Sequence, residues 1–290
     1  MWLEITLSAD ESQQQAFSDF LEQSGAQAVT TIDAGDNPIL EPDAGTTPLW
    51  PQVELIGLFP TDTDPHILAT ALQQQFGAEL GRVAHRYLAD RDWSRVWLDS
   101  FKPMRFGARL CICPSHCKPP PEAEVVVDLD PGLAFGTGTH PTTAMCLEYL
   151  DSLDLTGETL LDFGCGSGIL AIAGLKLGAD CAICVDNDPQ ALQATRDNAE
   201  RNQVADRIEM VDANHLNGGC ADAVVANILA QPLVQAAPMI TDAARCGAPM
   251  ALSGLLADQA PLVQDAYQSK CNGFSIQQQE EWLIMTMTRR

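Results

Sequence analysis

The stretch Leu160-Leu161-Asp162-Phe163-Gly164-Cys165-Gly166-Ser167-Gly168-Ile169-Leu170-Ala171 decides how this chain is read. It opens as an apolar strand, passes through a Gly-x-Gly-x-Gly turn and ends as the start of a helix. Glycines let the backbone turn sharply and approach a ligand closely. The helix behind them offers N–H groups with no partner inside the helix. About 18 residues past Gly168, Asp186 closes the strand Cys181-Ala182-Ile183-Cys184-Val185-Asp186. An acid at a strand end accepts hydrogen bonds from both hydroxyls of a ribose. Turn, helix and strand-end acid together point to a nucleoside-bearing cofactor, with Gly164, Gly166, Gly168 and Asp186 as its binding residues.

Two cofactors fit. A dinucleotide requires G-x-G-x-x-G/A, which Gly166-Ser167-Gly168-Ile169-Leu170-Ala171 satisfies. That reading makes the chain an NAD-dependent dehydrogenase. The alternative is S-adenosyl-L-methionine, whose amino acid part lies over such a loop in methyltransferases. Three features favour the methyl donor. Asp162 opens the loop, Asp212-Ala213 follows the third strand of the series, and the last strand is expected to run antiparallel.

The surroundings of the loop support an α/β domain. Candidate strands are 125–129, 159–163, 181–186, 207–211, 222–227, 248–253, 273–278 and 282–288, with helices between most of them, such as 188–201 and 230–243. Such alternation predicts a mostly parallel sheet covered by helices. The last two strands are joined only by Gln279-Glu280-Glu281, too short for a parallel crossover, so the final strand enters antiparallel.

Upstream, the first third reads as a small α+β unit. Trp2 to Leu7 alternates like a half-buried strand, and residues 9–24 place Ala16, Phe17, Phe20 and Leu21 on one helical stripe before Gly25. Ala28–Asp33, Val53–Phe59 and Val83–Ala89 read as strands, and Asp64-Pro65 starts a helix running to Phe76. Residues 34–51, rich in proline, form a loop. The order β-α-β-β-α-β is that of a ferredoxin-like fold. Trp93, Val96, Trp97 and Phe101 have helical spacing within a connector over 91–120 that also gathers Arg91, Arg95, Lys102, Arg105 and Arg109. The chain thus divides into 1–90, a linker 91–120, and 121–290.

Charge limits the partners. There are 39 Asp plus Glu against 16 Lys plus Arg, a net charge of −23, and residues 1–81 carry 13 acids and no Lys or Arg. Such a front end repels a phosphate backbone, so direct nucleic-acid binding and anionic-membrane binding are not expected. It suits a basic protein partner. No apolar run is long enough to span a bilayer, no secretory signal is visible at Met1-Trp2-Leu3-Glu4, and ten cysteines are too dilute for a disulfide scaffold, so a cytoplasmic protein with reduced thiols is expected.

A second motif, Asp130-Pro131-Gly132-Leu133-Ala134-Phe135-Gly136-Thr137-Gly138-Thr139-His140-Pro141-Thr142-Thr143, packs Gly and Thr around one His before a helix. With Asp162–Gly168, Asp186-Asn187-Asp188-Pro189, Arg196-Asp197-Asn198-Ala199 and Ala226-Asn227-Ile228-Leu229-Ala230, it resembles the bacterial family that methylates ribosomal protein L-eleven of the large subunit. The resemblance covers about residues 91–290; the N-terminal third matches in architecture more than in motif. It implies a seven-stranded, class I (Rossmann-like) methyltransferase sheet and a smaller ferredoxin-like domain that docks the basic substrate. It implies a monomer that transfers methyl groups from S-adenosyl-L-methionine to lysine ε-amines and the N-terminal α-amine. By the same resemblance, Thr143, Gly164, Asp186 and Asn227 stand where the family contacts the cofactor, and Asn227 faces the substrate as the candidate catalytic residue; in the common methyltransferase fold the strand-three acid, here Asp212, lies beside the adenine.

The Asn227-Ile228-Leu229 step also argues against enzymes acting on planar bases or amides, which carry Asn-Pro-Pro-Tyr there. A noncatalytic S-adenosylmethionine-binding module remains the third reading. Cys111, Cys113, His116 and Cys117 have ligand spacing but lack a second pair, so no metal is assigned. Cys181 and Cys184 lie in one strand and point to opposite faces. Cys165 reads as a small filler in the loop, and His140 as loop packing more than as a base.

Overall fold

The structure, a computed structural model, describes residues 1–35, 39, 46, 48–77, 80–89, 101–130 and 138–290. The chain divides into two compact units, Met1–Val96 and Trp97–Arg290. The aromatic spacing at 93–101, apart from Phe101, and most of the 34–51 loop lie outside the described residues, as do 131–137 of the second motif.

The first unit contains β1 (Trp2–Asp10), α1 (Gln14–Gln23), β2 (Ala28–Asp33), β3 (Gln52–Pro60), α2 (Pro65–Phe76) and β4 (Val83–Leu88). Its sheet has the order β2-β3-β1-β4, and every neighbouring pair is antiparallel. Alternation along β1 sends Leu3, Ile5 and Leu7 into a core with Phe17 and Leu21 of α1 and Leu68 and Leu72 of α2. The Asp64 carboxylate accepts from the His66 N–H at 2.8 Å and caps α2, with Pro65 in the first turn.

The second unit begins with a three-stranded sheet of β5 (Met104–Phe106), β6 (Leu110–Cys113) and β7 (Val125–Asp128). This corrects one expectation: the 125–129 strand does not join the large sheet. It pairs parallel with β6, where Leu110 faces Val125 and Cys113 faces Asp128. The reason is local: β6 lies only a short chain length upstream and leaves an edge open to it. Asp151 fastens the β5–β6 turn by accepting from the Ala108 N–H at 2.6 Å and the Arg109 N–H at 3.3 Å.

Then follow α3 (Pro141–Ser152), β8 (Thr159–Phe163), α4 (Ile169–Lys176), β9 (Cys181–Val185), α5 (Pro189–Arg201), β10 (Ile208–Met210), β11 (Ala223–Asn227), α6 (Ala230–Ala243), β12 (Pro249–Leu256), α7 (Ala260–Tyr267), β13 (Cys271–Gln279) and β14 (Trp282–Arg289). The sheet has seven strands in the order β10-β9-β8-β11-β12-β14-β13. Its pairs are parallel from β10 to β12, and β14 runs antiparallel to both β12 and β13. The antiparallel last strand expected from the short link is therefore present. One face of the sheet, with Leu161, Ile183, Val224, Ala226, Met250 and Leu252, joins a buried core that includes residues of α6 and α7. Each of these alternates with a residue on the opposite face, where α3 and α4 pack and Asp162 is buried. The strand order switches sides at β8, with β9 and β10 added on one side and β11 and β12 on the other, and such a switch point opens a crevice at the carboxyl ends of the strands.

Candidate active site

The glycine turn is stitched to the end of β9. Gly164 and Cys165 both donate their N–H to the Val185 carbonyl, at 2.7 and 3.1 Å, and Gly168 donates to the Cys165 carbonyl at 2.8 Å. Gly164 and Gly168 hold φ of +82° and +77°, a region that costs other residues about 1–2 kcal/mol. Space excludes a side chain as well. A Cβ on Gly164 would stand 2.2 Å from Ile228 Cγ2, and one on Gly168 would stand 2.8 Å from Thr195 Cγ2.

Asp186 closes the loop from the next strand. Its Oδ2 accepts from the Gly166 N–H at 2.9 Å, and its Oδ1 accepts from the Asp188 N–H at 2.9 Å. A carboxylate has roughly four acceptor positions, so about two remain for the hydroxyls of a ribose. Asp188 in turn caps α5 through the Gln190 N–H at 2.8 Å. This explains why Asp186-Asn187-Asp188-Pro189 occurs as a block: one acid holds the loop and the other starts the helix behind it.

That helix braces the loop from below, through Thr195 and Asn202, which sequence reasoning missed, and Asn198, which stood in the Arg196-Asp197-Asn198-Ala199 block without an assigned role. Thr195 Oγ1 donates to the Gly166 carbonyl at 3.0 Å, and Asn198 Nδ2 donates to the Ser167 carbonyl at 2.8 Å. Asn202, buried at the C-cap, accepts from the Asp128 N–H at 2.8 Å and donates to the Asp128 carbonyl at 2.7 Å, acting like one more strand residue beside β7. A signal was available. Thr195, Asn198 and Asn202 recur at the 3–4-residue spacing of one helix face.

Asp162 is fully buried beneath the turn. Its Oδ2 accepts from the Ala171 N–H of α4 at 3.0 Å, and its Oδ1 has no partner. Burial pushes its pKa up to about 7; the Ala171 N–H works against this, and the nearby Asp186 charge adds to it.

On the other side of the crevice, Asn227 ends β11 and its Nδ2 donates to Thr143 Oγ1 at 3.1 Å. Thr143 lies in the first turn of α3 and is fully buried. Its hydroxyl oxygen is the acceptor of that bond. Asp212, expected beside the adenine, follows β10 and caps a short turn by accepting from the Asn214 N–H at 2.8 Å. That bond, assisted by His215, holds its pKa below the usual carboxylate value, and its side chain is 61% exposed. His140 caps α3, and its ring meets Trp282 edge-on at a centroid distance of 4.9 Å.

Both borders of the 131–137 segment are anchored. Asp130 accepts from the Ser115 N–H at 2.7 Å and pairs with Arg201 at 3.1 Å. Gly138 (φ +87°) is buried with Met104, Phe106 and Ile169 within 3.4–3.7 Å of where its Cβ would be. Cys165 is buried with its sulfur 3.4 Å from Thr195 Oγ1, as suits a filler. His116 Nε2 and Cys117 Sγ both turn to the Phe101 carbonyl, at 3.2 and 3.7 Å. Among the described residues no three His, Cys, Asp or Glu side chains converge on a point that could hold a metal ion.

A glycine cradle, a ribose-ready carboxylate at the end of the next strand and an amide at the end of β11, all at the carboxyl edge of a mixed seven-stranded sheet, define an α/β methyltransferase. The family description "Ribosomal protein L11 methyltransferase (PrmA)" matches residues 1–290, and the chain belongs to that family. It is 51% identical to the ribosomal protein L11 methyltransferase of Aeromonas hydrophila over 97% of this chain and 96% of that protein. It is 50% identical to that of Serratia proteamaculans over 100% of this chain and 99% of that protein. A crystal structure of a ribosomal protein L11 methylase from Lactobacillus delbrueckii superposes with a TM-score of 0.60 at 27% identity, covering 66% of this chain and all of that one. Its methyl donor is S-adenosyl-L-methionine. The nicotinamide reading of the glycine turn is thereby set aside.

Proposed function

We propose that the protein methylates ribosomal protein L11 of the large subunit, on lysine ε-amines and on the N-terminal α-amine. The observation that carries the reading is the placement of Asn227, held by Thr143, across the crevice from the Gly164–Gly168 cradle and Asp186. S-adenosyl-L-methionine, when bound, supplies a methyl carbon on a sulfonium that is already a good leaving group. What remains for the chain is mainly positioning. Gly164, Gly166 and Gly168, with no side chains, let the loop backbone come close to the cofactor, Asp186 takes the ribose, and Asp212 borders the adenine. Thr143 borders the cofactor and fixes the Asn227 amide.

With its N–H committed to Thr143, the Asn227 carbonyl oxygen is left to accept from an amine. A lysine amine, with a reference pKa near 10.4, must lose a proton before it can attack. A site that excludes water favours the neutral amine. Asn227 accepts one N–H of that amine and so turns the nitrogen lone pair toward the methyl group. We assign no dedicated base.

The first unit is read as a ferredoxin-like substrate-docking domain over 1–90, followed by a linker at 91–120 and the catalytic domain at 121–290. Its 13 acids without a Lys or Arg through residue 81 suit a basic ribosomal protein. The enzyme is read as a cytoplasmic monomer with no direct nucleic-acid contact. The test is incubation of the purified protein with labelled methyl donor and a lysate from cells lacking it, followed by mass spectrometry. A labelled L11 carrying methyl groups on amines is expected. Label on nucleic acid, or on no protein, would overturn the reading.

A further inference from the structure

The Glu280-Glu281 turn between β13 and β14 has no part in the site described so far. Gln279 pairs with Trp282, so the two glutamates alone make the turn. Glu280 adopts φ +56°, and its carbonyl accepts from Gln278 Nε2 at 2.8 Å. Both glutamates are exposed, and among the described residues neither makes an ion pair. Trp282, by contrast, is buried to all but 8% and lies edge-on against His140. That contact docks the turn on the same first turn of α3 from which Thr143 reaches Asn227. Strand register gives the same placement. Asn227 is level with Ser253, Ser253 is level with Ile284, and the turn lies just beyond Ile284 at the carboxyl edge of the sheet.

We propose that Glu280 is a specificity-determining residue at the mouth of the site, whose carboxylate receives the cationic lysine side chain before the neutral amine reaches Asn227. The inference rests on the protein-amine methyltransferase reading above. A lysine arrives as an ammonium and must react as a free amine. A carboxylate in contact with the reacting nitrogen would hold the proton on and slow transfer. A carboxylate at the entrance attracts the cation and then lets it go. Its field is felt there: burial holds the His140 imidazole below its usual pKa, and the Glu280 charge opposes that shift. Mono- and dimethylated lysines are cationic as well, so the same carboxylate serves each round of methylation.

The test uses the full-length protein with purified ribosomal protein L11. Initial rates for wild type, Glu280→Gln and Glu280→Asp are measured at low and high salt, with S-adenosylmethionine affinity by calorimetry. For Glu280→Gln the KM for L11 is expected to rise about three- to tenfold at low salt and to converge on wild type at high salt, because an exposed charge is screened. kcat and cofactor affinity should stay at wild-type levels, and Glu280→Asp should recover most of the loss. A KM unchanged at low salt, or an equal loss at both salts, would overturn the assignment and leave the turn a purely structural feature. If wild type fails to methylate L11 while binding S-adenosylmethionine, the functional reading itself fails, a result separable from the behaviour of the variant.

Discussion

The Asn227 amide donates to the Thr143 hydroxyl across 3.1 Å, joining the end of β11 to the first turn of α3 over 84 residues of sequence. The bond fixes which end of the amide faces the crevice. If Asn227 orients the amine as proposed, replacing it with Ala removes that acceptor while leaving the glycine cradle and Asp186 intact. Turnover should fall on the order of 100-fold, the scale of losing a positioning contact, with a much smaller change in cofactor affinity. Thr143→Val keeps the volume and removes the hydroxyl, so its loss in kcat should be smaller, about tenfold. Steady-state kinetics with calorimetric cofactor binding checks both. Equal losses in turnover and cofactor affinity for Asn227→Ala would contradict an amine-orienting role.

Asp186 holds two backbone N–H groups as well as its expected ribose, so its replacement acts twice. Asp186→Ala leaves the Gly166 and Asp188 N–H groups without their acceptor, while the Gly164 and Cys165 bonds to the Val185 carbonyl still hold the loop to β9. S-adenosylmethionine should bind about 10- to 100-fold more weakly, the equivalent of roughly 1–3 kcal/mol for hydrogen bonds to a charged group. Circular dichroism should show the sheet and helices retained. Unimpaired affinity in titration calorimetry would mean the ribose lies elsewhere.

The glycine turn makes a steric prediction. Gly164→Ala places a methyl 2.2 Å from Ile228 Cγ2 in a left-handed conformation. Two costs therefore add, and the variant should lose roughly 2–4 kcal/mol of stability. Ile228→Ala removes the colliding atom but not the conformational cost, so the double variant should be less destabilised than the sum of the two single ones. Chemical denaturation of all four proteins measures this coupling. Strict additivity would show that Ile228 does not close over Gly164.

Much of this architecture is local and hence legible in the sequence. The Gly-x-Gly-x-Gly turn, the Asp188-Pro189 helix start and the short link before β14 each determine their own geometry within a few residues. Strand partners are not local. Val125–Asp128 reads as a strand like its neighbours, and only pairing with β6 keeps it out of the large sheet. The Asn227–Thr143 contact and the brace from Thr195 and Asn198 join distant segments through side chains. A single sequence marks such residues only as polar side chains on a face that proves to be buried. Thr143 shows the consequence: its hydroxyl pairs with Asn227, 84 residues away, and nothing local marks that partner.

Asp162 gives a pH dependence opposite to that of most carboxylates. Its pKa rises from 3.8 when unfolded to about 7 when folded, with burial the main cause. Between these values the folded state binds more protons than the unfolded one, so stability falls as pH rises. The contribution is fully present below about pH 4 and is lost as pH passes through about 7. Asp162→Asn cannot ionise, yet its side-chain oxygen can still accept from the Ala171 N–H. The variant should therefore gain on wild type as pH rises from 4 to 8, by an amount on the order of 4 kcal/mol for a shift of about three pKa units. Urea denaturation of both proteins across that range is the measurement. A difference in stability that stays constant with pH would show that Asp162 is ionised throughout and has a partner for its second oxygen.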